Sequence, residues 1–352
     1  MLSVKLPQLL NNHQVPRVSL CFVPGLFQVF REDGIISGYR HPKSSALDCI
    51  LSTFQLTNET LNIWTHFLPT WYFLWKFLVL SHSADFYNEP YSWPLFVYLL
   101  FICLYPFISS CAHTFSTMSA HVRHICYFFD YGALSLYSLG CAVTYRAYVM
   151  PDRWINSTLH FYFVHVAVLN SMVCTTLSCY SRFLEIEQPK LSKTLRITAF
   201  SYPFLFDNIP LFYRLLLCWG EDCSHNDAVP THYHHLLFAF LTCFLFASHL
   251  PERLAPGCFD YIGHSHQLFH ICAVVGTHFQ LEAIVTDMSC RHAWLLANTP
   301  LPSLGGTLGV MAASVFLNLL VIGIFILLLF WSPYSSPFLQ STFPDRAKQK
   351  RE

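Results

Sequence analysis

The sequence predicts an all-α integral membrane protein in which a bundle of helices crosses the bilayer. Of its 352 residues, 54% are hydrophobic and only 11% are charged, whereas charged residues make up about a quarter of an average soluble domain. Stretches of about 20 mainly apolar residues, enough to cross a bilayer core of about 30 Å, recur along the chain. The eight stretches are residues 62–80, 93–115, 125–150, 159–180, 197–219, 233–250, 265–284 and 308–331.

The basic residues predict the orientation of the chain, because Lys and Arg are enriched in cytoplasmic loops. With the N-terminus inside, 15 of the 20 basic residues fall on the inner side and 5 lie at or near the outer ends. We therefore expect both termini in the cytoplasm. Residues 1–60 form an N-terminal region with a short amphipathic helix near 44–54, residues 61–331 form the transmembrane bundle, and residues 332–352 form a tail.

Histidines occur at helical spacing in the seventh stretch. His266 and His270 are four residues apart, so they lie on one helix face, where both imidazoles can reach one metal ion. Ser109 and His113 show the same spacing in the second stretch, and Asp130 lies near the start of the third. Charged groups and imidazoles are costly inside a bilayer, so each of these residues is a functional candidate.

The predicted topology places these candidates at one depth. The second helix runs inward and the third and seventh run outward, so His113, Asp130, His266 and His270 all fall in the cytoplasmic half. Three histidines form a neutral nitrogen donor set that suits Zn²⁺ and leaves a fourth tetrahedral position for water. Asp130 would accept a proton from that water, and Ser109 would support His113 or the water.

Simpler interpretations of these residues stay open. Each histidine could be a hydrogen-bonded packing residue, since polar side chains commonly join helices within a membrane. Asp130 could instead pair with Arg123 or His124 near the inner surface. A bound metal ion could also be structural rather than reactive.

A further acidic group interrupts the fifth stretch. Asp207 lies beside Asn208 and shortly before Pro210, a pattern that predicts a kinked helix whose freed backbone groups line a cavity. Pairing of Asp207 with Arg214, or with a group on another helix, is an equal alternative.

Ordered motifs along the chain resemble a known receptor family. The motifs are residues 58–66 (NETLNIWTH), Ser109 with His113, Asp130, and residues 251–270, which begin PERLAPG and end SHQLFH. Together they resemble the progestin and adipoQ receptor family over roughly residues 31–285. Residues 38–40, 123–128 and 179–184, with the eighth apolar stretch, resemble its membrane progestin receptor branch, most closely the delta type.

The resemblance implies a seven-helix core like that of the adiponectin receptors, with a cytoplasmic N-terminus and, here, an eighth transmembrane helix. In the adiponectin receptor branch, histidines at the positions of His113, His266 and His270 hold zinc. The residue matching Asp130 contacts the metal-bound water. Residues 19–30 look like an insertion relative to the family's usual short N-terminus.

Two functions follow from the resemblance and from the aromatic-rich bundle. The first is a plasma-membrane receptor for progestins and related neutral steroids, including neurosteroids, that signals through G proteins. The second is a zinc-dependent amidohydrolase of ceramide-type lipids, with Asp130 as general base and Ser109 supporting the site, so that a ceramide or fatty acid would be a ligand. A metal ion that merely joins the second and seventh helices is a third interpretation. Membrane lipid is an expected partner and nucleic acid is not.

Overall fold

Eight long helices form a bundle in the computed structural model, which describes residues 20–21, 30–218 and 226–331. The helices in chain order are α1 (Ala46–Ser52), α2 (Thr60–Ser83), α3 (Trp93–Phe115), α4 (Ala120–Thr144), α5 (Thr158–Phe183), α6 (Pro189–Asp207), α7 (Ile209–Phe212), α8 (Ala228–Ser248), α9 (Ser265–Cys290), α10 (His292–Asn298) and α11 (Val310–Trp331). All except α1, α7 and α10 match the eight predicted stretches. The predicted all-α membrane bundle is thereby confirmed.

The short elements modify the ends of this bundle. Two-residue strands β1 (Leu20–Cys21) and β2 (Tyr39–Arg40) pair antiparallel. The fifth stretch is broken as its prolines predict: α6 ends at Asp207, and α7 follows with Pro210 in its first turn, where its missing N–H interrupts no hydrogen bond. A π-helical turn at Tyr213–Leu217 completes this crossing.

The outer surface of the bundle is apolar. Among the residues that the structure describes, four segments are long and apolar enough to cross a membrane by length and composition, namely Pro90–Phe115, Thr158–Phe183, Ser265–Cys290 and Gly305–Trp331. Large hydrophobic side chains stay exposed on outward helix faces, including Trp71 of α2, Phe240 of α8 and Leu327 of α11. Such a surface suits lipid rather than water, because large exposed apolar patches are rare on soluble monomers.

The last helix is packed into the bundle rather than attached loosely to it. Helix α11 lies against α4 and α5, where the Ile322 side chain would clash with any Cβ at Gly132. The Asn318 side chain accepts a hydrogen bond from Thr175 at 2.6 Å and donates one to Ser171 at 3.3 Å. The lack of a side chain at Gly132 and the hydrogen bonds of Asn318 therefore determine where α11 packs against α4 and α5.

One end of the bundle, called the near end here, holds the C-terminus of α3 and the N-terminus of α9. A strap of residues 32–40 crosses it. The Asp260 carboxylate accepts hydrogen bonds from the backbone N–H groups of Ile36 (3.0 Å) and Ser37 (2.7 Å). The Arg40 guanidinium donates to the Thr114 carbonyl at 2.7 Å, which satisfies one of the last acceptors of α3. The strap thus joins the loop before α9 to the end of α3.

Candidate metal centre and cavity

The three predicted metal ligands meet at the near end. His113 lies in the last turn of α3, and His266 and His270 lie in the first two turns of α9. One ligand atom from each of the three histidines lies within 4.8 Å of the other two. Residues 153 positions apart in the chain therefore form one compact nitrogen cluster.

Hydrogen bonds at the other ring nitrogens orient this cluster. His113 Nδ1 lies 2.8 Å from the Glu59 carboxylate. His270 Nδ1 lies 3.1 Å from the Asn62 carbonyl oxygen and 3.2 Å from the Thr65 hydroxyl. Metal-binding histidines commonly bond a carboxylate or carbonyl in this way, which fixes the tautomer and leaves Nε2 for the metal. The Nε2 atoms of His113 and His266 accordingly face each other at 3.2 Å.

Glu59 is the residue of this site that sequence reasoning missed. It lies one residue before α2, is 3% exposed, and is itself held by the Asn62 side-chain amide at 2.7 Å. The sequence feature that could have identified Glu59 is its position just before a predicted helix. The first two turns of that helix contain Asn62 and Thr65. Together these three residues make the start of α2 the support of the histidine cluster.

Asp130 and Ser109 lie beside the cluster rather than in it. Both line the same cavity as His266 and His270, and Ser109 lies close enough to Asp130 to interact with its carboxylate. The alternative partner for Asp130, Arg123, instead approaches Glu32 at 3.7 Å. The carboxylate is therefore available to a polar group bound near the histidines.

The residues present fit a zinc ion. They offer three imidazole nitrogens, two of them on fully buried rings, with hydrogen-bonded partners behind two of the rings. Structural zinc sites usually close with a fourth protein ligand, whereas a three-ligand set keeps one position open. Within the described residues, the potential metal ligands at this position are His113, His266 and His270.

A cavity leads from the cluster into the bundle. It contains about 220 Å³ of space open to the centres of water molecules, far more than the ~10–15 Å³ that one water requires. Its wall includes His266 and Gln280 of α9, which are about 20 Å apart along the helix at 1.5 Å per residue. Aromatic and aliphatic side chains supply most of the rest of the wall.

His66 lies between the cluster and the cavity. Its ring stacks on His270 with a centroid distance of 3.7 Å, and it forms part of the cavity wall. The side chain is 3% exposed, and in the described part of the chain neither ring nitrogen has a hydrogen-bond partner. His66 therefore brings an unsatisfied donor and an unsatisfied acceptor to the metal end of the cavity.

Comparisons with known proteins assign this architecture to a family. Residues 54–281 match the haemolysin-III related family. The chain is 63% identical to membrane progestin receptor delta of Homo sapiens, covering 97% of this chain and 96% of that protein. It is 59% identical to membrane progestin receptor delta of Mus musculus over the full length of both, and 56% identical to membrane progestin receptor gamma-B of Danio rerio over 99% of each. The chain therefore belongs to the haemolysin-III related family, which is the progestin and adipoQ receptor family that its motifs resemble.

Proposed function

We propose that this protein is a plasma-membrane receptor for progestins and related neutral steroids, with a cytoplasmic N-terminus and signalling through G proteins. The observation that carries the proposal is the near-complete similarity to proteins named membrane progestin receptor delta. The near end, with its histidine cluster, would then face the cytoplasm, in agreement with the distribution of basic residues in the sequence.

The cavity has the character that a neutral steroid requires. Phe200, Phe204, Phe246 and Phe269 all contribute to its wall, and most of the surface that lines it is apolar. Small-ligand sites are usually largely apolar with a small number of placed polar groups. Helices α6 and α8 both line the cavity yet touch at few points, so a ligand dissolved in the bilayer has a route between them.

We also propose that His113, His266 and His270 bind Zn²⁺. When bound, zinc would supply a Lewis acid at the near end of the cavity. The protein contributes the orientation of His113 by Glu59 and of His270 by Asn62 and Thr65, together with burial that keeps the site from bulk water. Zinc would equally join α3 to α9 if no reaction took place.

The amidohydrolase of ceramide-type lipids is the second candidate, and the placement of Asp130 on the cavity wall favours it. Asp130 would take a proton from water and return it to the leaving amine, while Ser109 holds its carboxylate in place. The names of the relatives favour the receptor instead. Asp130→Ala should keep its zinc content and lose ceramide turnover, whereas equal turnover in parent and variant would contradict this candidate.

Binding to purified full-length protein in lipid nanodiscs tests the receptor proposal. Ala239→Phe places a ring in the cavity from α8, whereas Leu241→Phe adds the same ring on an exposed face of that helix. We expect saturable binding of a labelled progestin to the parent and to Leu241→Phe, and binding at least tenfold weaker to Ala239→Phe. A parent protein that binds no progestin, with or without zinc, would overturn the proposal.

A further inference from the structure

Three buried residues with hydrogen-bond acceptors line the part of the cavity remote from the histidine cluster. Asp207, Asn208 and His235 all line the cavity, and their side chains are 3%, 2% and 3% exposed. Unsatisfied polar atoms at such depth are uncommon, and each calls for a partner such as a ligand or water. The three residues are named the acceptor group below.

The tautomer of His235 follows from its one hydrogen bond. Its Nδ1 lies 3.1 Å from the carbonyl oxygen of Gly276, and a carbonyl can only accept. Nδ1 therefore carries the hydrogen, and Nε2 of the neutral ring carries a lone pair. Nε2 has no hydrogen-bond partner within the described residues.

Asn208 and Asp207 lie where α6 stops. The Asn208 amide nitrogen donates to the Phe204 carbonyl at 2.8 Å, which leaves Oδ1 as a free acceptor. The Asp207 carboxylate accepts a hydrogen bond from Ser138, and the structure gives it no ion pair within the described part of the chain. The predicted alternative partner, Arg214, instead forms two hydrogen bonds with Asp287. A buried carboxylate without a cation is costly, and a nearby cation would offset that cost.

Hydrogen bonds between helices show that Asp207 and His235 lie at the same depth. Ser138 bonds Asp207, and its neighbour Tyr137 accepts a hydrogen bond from Thr277 of α9 at 3.2 Å. The residue before Thr277 supplies the carbonyl that holds His235. This layer is about 10 Å from His270, seven residues along α9 at 1.5 Å per residue. The acceptor group is therefore distinct from the proposed metal site.

We infer that the acceptor group binds the protonated primary amine of a ligand with a long apolar chain. A primary ammonium carries three N–H donors and one positive charge, whereas a hydroxyl carries one donor and a ketone carries none. The group offers three acceptors, and one of them is a carboxylate that lacks a cation. The apolar surface of the cavity would contact the hydrocarbon chain. This inference depends on the cavity and is independent of the steroid proposal.

Three amphiphiles with one hydrocarbon chain test the inference on the purified full-length protein in nanodiscs, with empty nanodiscs as the blank. Tetradecylamine has charge and N–H donors, tetradecanol has one donor and no charge, and tetradecyltrimethylammonium has charge without a donor. We expect tetradecylamine to bind at least tenfold more tightly than either of the others, because it alone combines a positive charge with N–H donors, and hydrogen bonds between charged groups are the stronger ones.

Variants then assign the effect to the acceptor group. Asp207→Asn keeps the shape and removes the charge, so its affinity for tetradecylamine should fall to that for tetradecanol. Ser138→Ala removes a competing donor and should tighten amine binding, a gain that a purely structural role would not produce. Glu282→Gln alters an exposed carboxylate that pairs with Lys76 outside the cavity, and it should bind as the parent does.

Two results would overturn the inference. One is equal binding of tetradecylamine and tetradecanol by the parent protein. The other is an unchanged amine affinity in Asp207→Asn. If Asp207→Asn does not fold, His235→Phe keeps an aromatic ring and removes one acceptor, and amine binding should then weaken several-fold. Steroid binding measured on the same samples reports separately on the receptor proposal.

Discussion

Two buried pairings of histidine with carboxylate lie at opposite ends of the bundle, and they differ in what the second ring nitrogen of the histidine faces. At the near end, Glu59 bonds Nδ1 of His113, and Nε2 of that ring faces His266. At the far end, Asp287 of α9 bonds Nε2 of His232 at 2.8 Å. Both carboxylates are at most 3% exposed. Residue type and burial alone therefore do not separate the two sites.

Charge balance and direction separate them. At the far end, the Arg214 guanidinium bonds both Asp287 oxygens at 2.7 and 2.8 Å, and the Asn226 amide adds a third donor. These bonds use the carboxylate fully, and the cluster ties the end of the fifth crossing to α8 and α9. At the near end, three rings turn toward a common point instead. Convergence of free lone pairs, rather than the presence of histidine, indicates a binding site.

The largest effect should come from breaking the far-end cluster. Arg214→Met keeps most of the side-chain volume and leaves the buried Asp287 charge without its arginine, and breaking a buried ion pair in this way costs about 3–5 kcal/mol. Thermal unfolding in detergent should show a large fall in the midpoint, while zinc content per folded protein stays that of the parent. Lys76→Met breaks the exposed pair with Glu282 and should cost only about 0–1 kcal/mol. Equal losses in the two variants would contradict the contrast between a buried and an exposed pair.

A smaller effect should follow from Glu59→Gln at the near end. The amide keeps the shape of the side chain but weakens the hold on His113, and loss of such a partner typically lowers metal affinity about 10–100-fold. Competition with a zinc chelator measures this change.

Glu252→Gln is the matched control for Glu59→Gln. Glu252 is also 3% exposed, but it accepts a hydrogen bond from the Ser265 N–H at 2.7 Å and touches none of the three histidines. We expect it to lower the unfolding temperature with zinc affinity close to that of the parent. The proposed role of Glu59 would fail if both variants lost zinc affinity to the same extent.

The smallest effect should come from Thr65→Val. The Thr65 hydroxyl lies 3.2 Å from His270 Nδ1, but the Asn62 carbonyl lies 3.1 Å from the same atom and remains in the variant. Zinc affinity should therefore fall by no more than about tenfold, since one neutral hydrogen bond is worth about 0.5–1.5 kcal/mol. A loss as large as that of Glu59→Gln would show that the hydroxyl, rather than the carbonyl, fixes the ring.

The sequence predicted the parts of the near end that depend on helical repeat and topology. The spacing of His266 and His270 fixes their shared face, and the direction of each crossing brings His113 and Asp130 to the same depth. Both are local or additive properties of the chain. They require no knowledge of which helix faces pack together.

The sequence did not predict the contacts that depend on how each helix is rotated about its own axis. Glu59 supports His113 only because the start of α2 packs against the end of α3, which no repeat in either helix reveals. Pairing of Asp207 with Arg214 was an equal alternative, and it is wrong because the break after Asp207 turns Arg214 toward α9 and its Asp287. The sequence alone does not show whether Asp207 or Asp287 is the partner of Arg214.

The strap across the near end also sets the order in which the protein can be completed. The Ile36 N–H can bond Asp260 only after 224 more residues have been synthesised. His113 can approach His266 only after 153 more. At about 5–20 residues per second, ribosomes need roughly 10–45 s to make the longer of these intervals. Throughout that time the Ile36 N–H and the Nε2 atom of His113 lack these partners. The bond of the strap to Asp260 and the histidine cluster therefore form only after most of the chain has been synthesised.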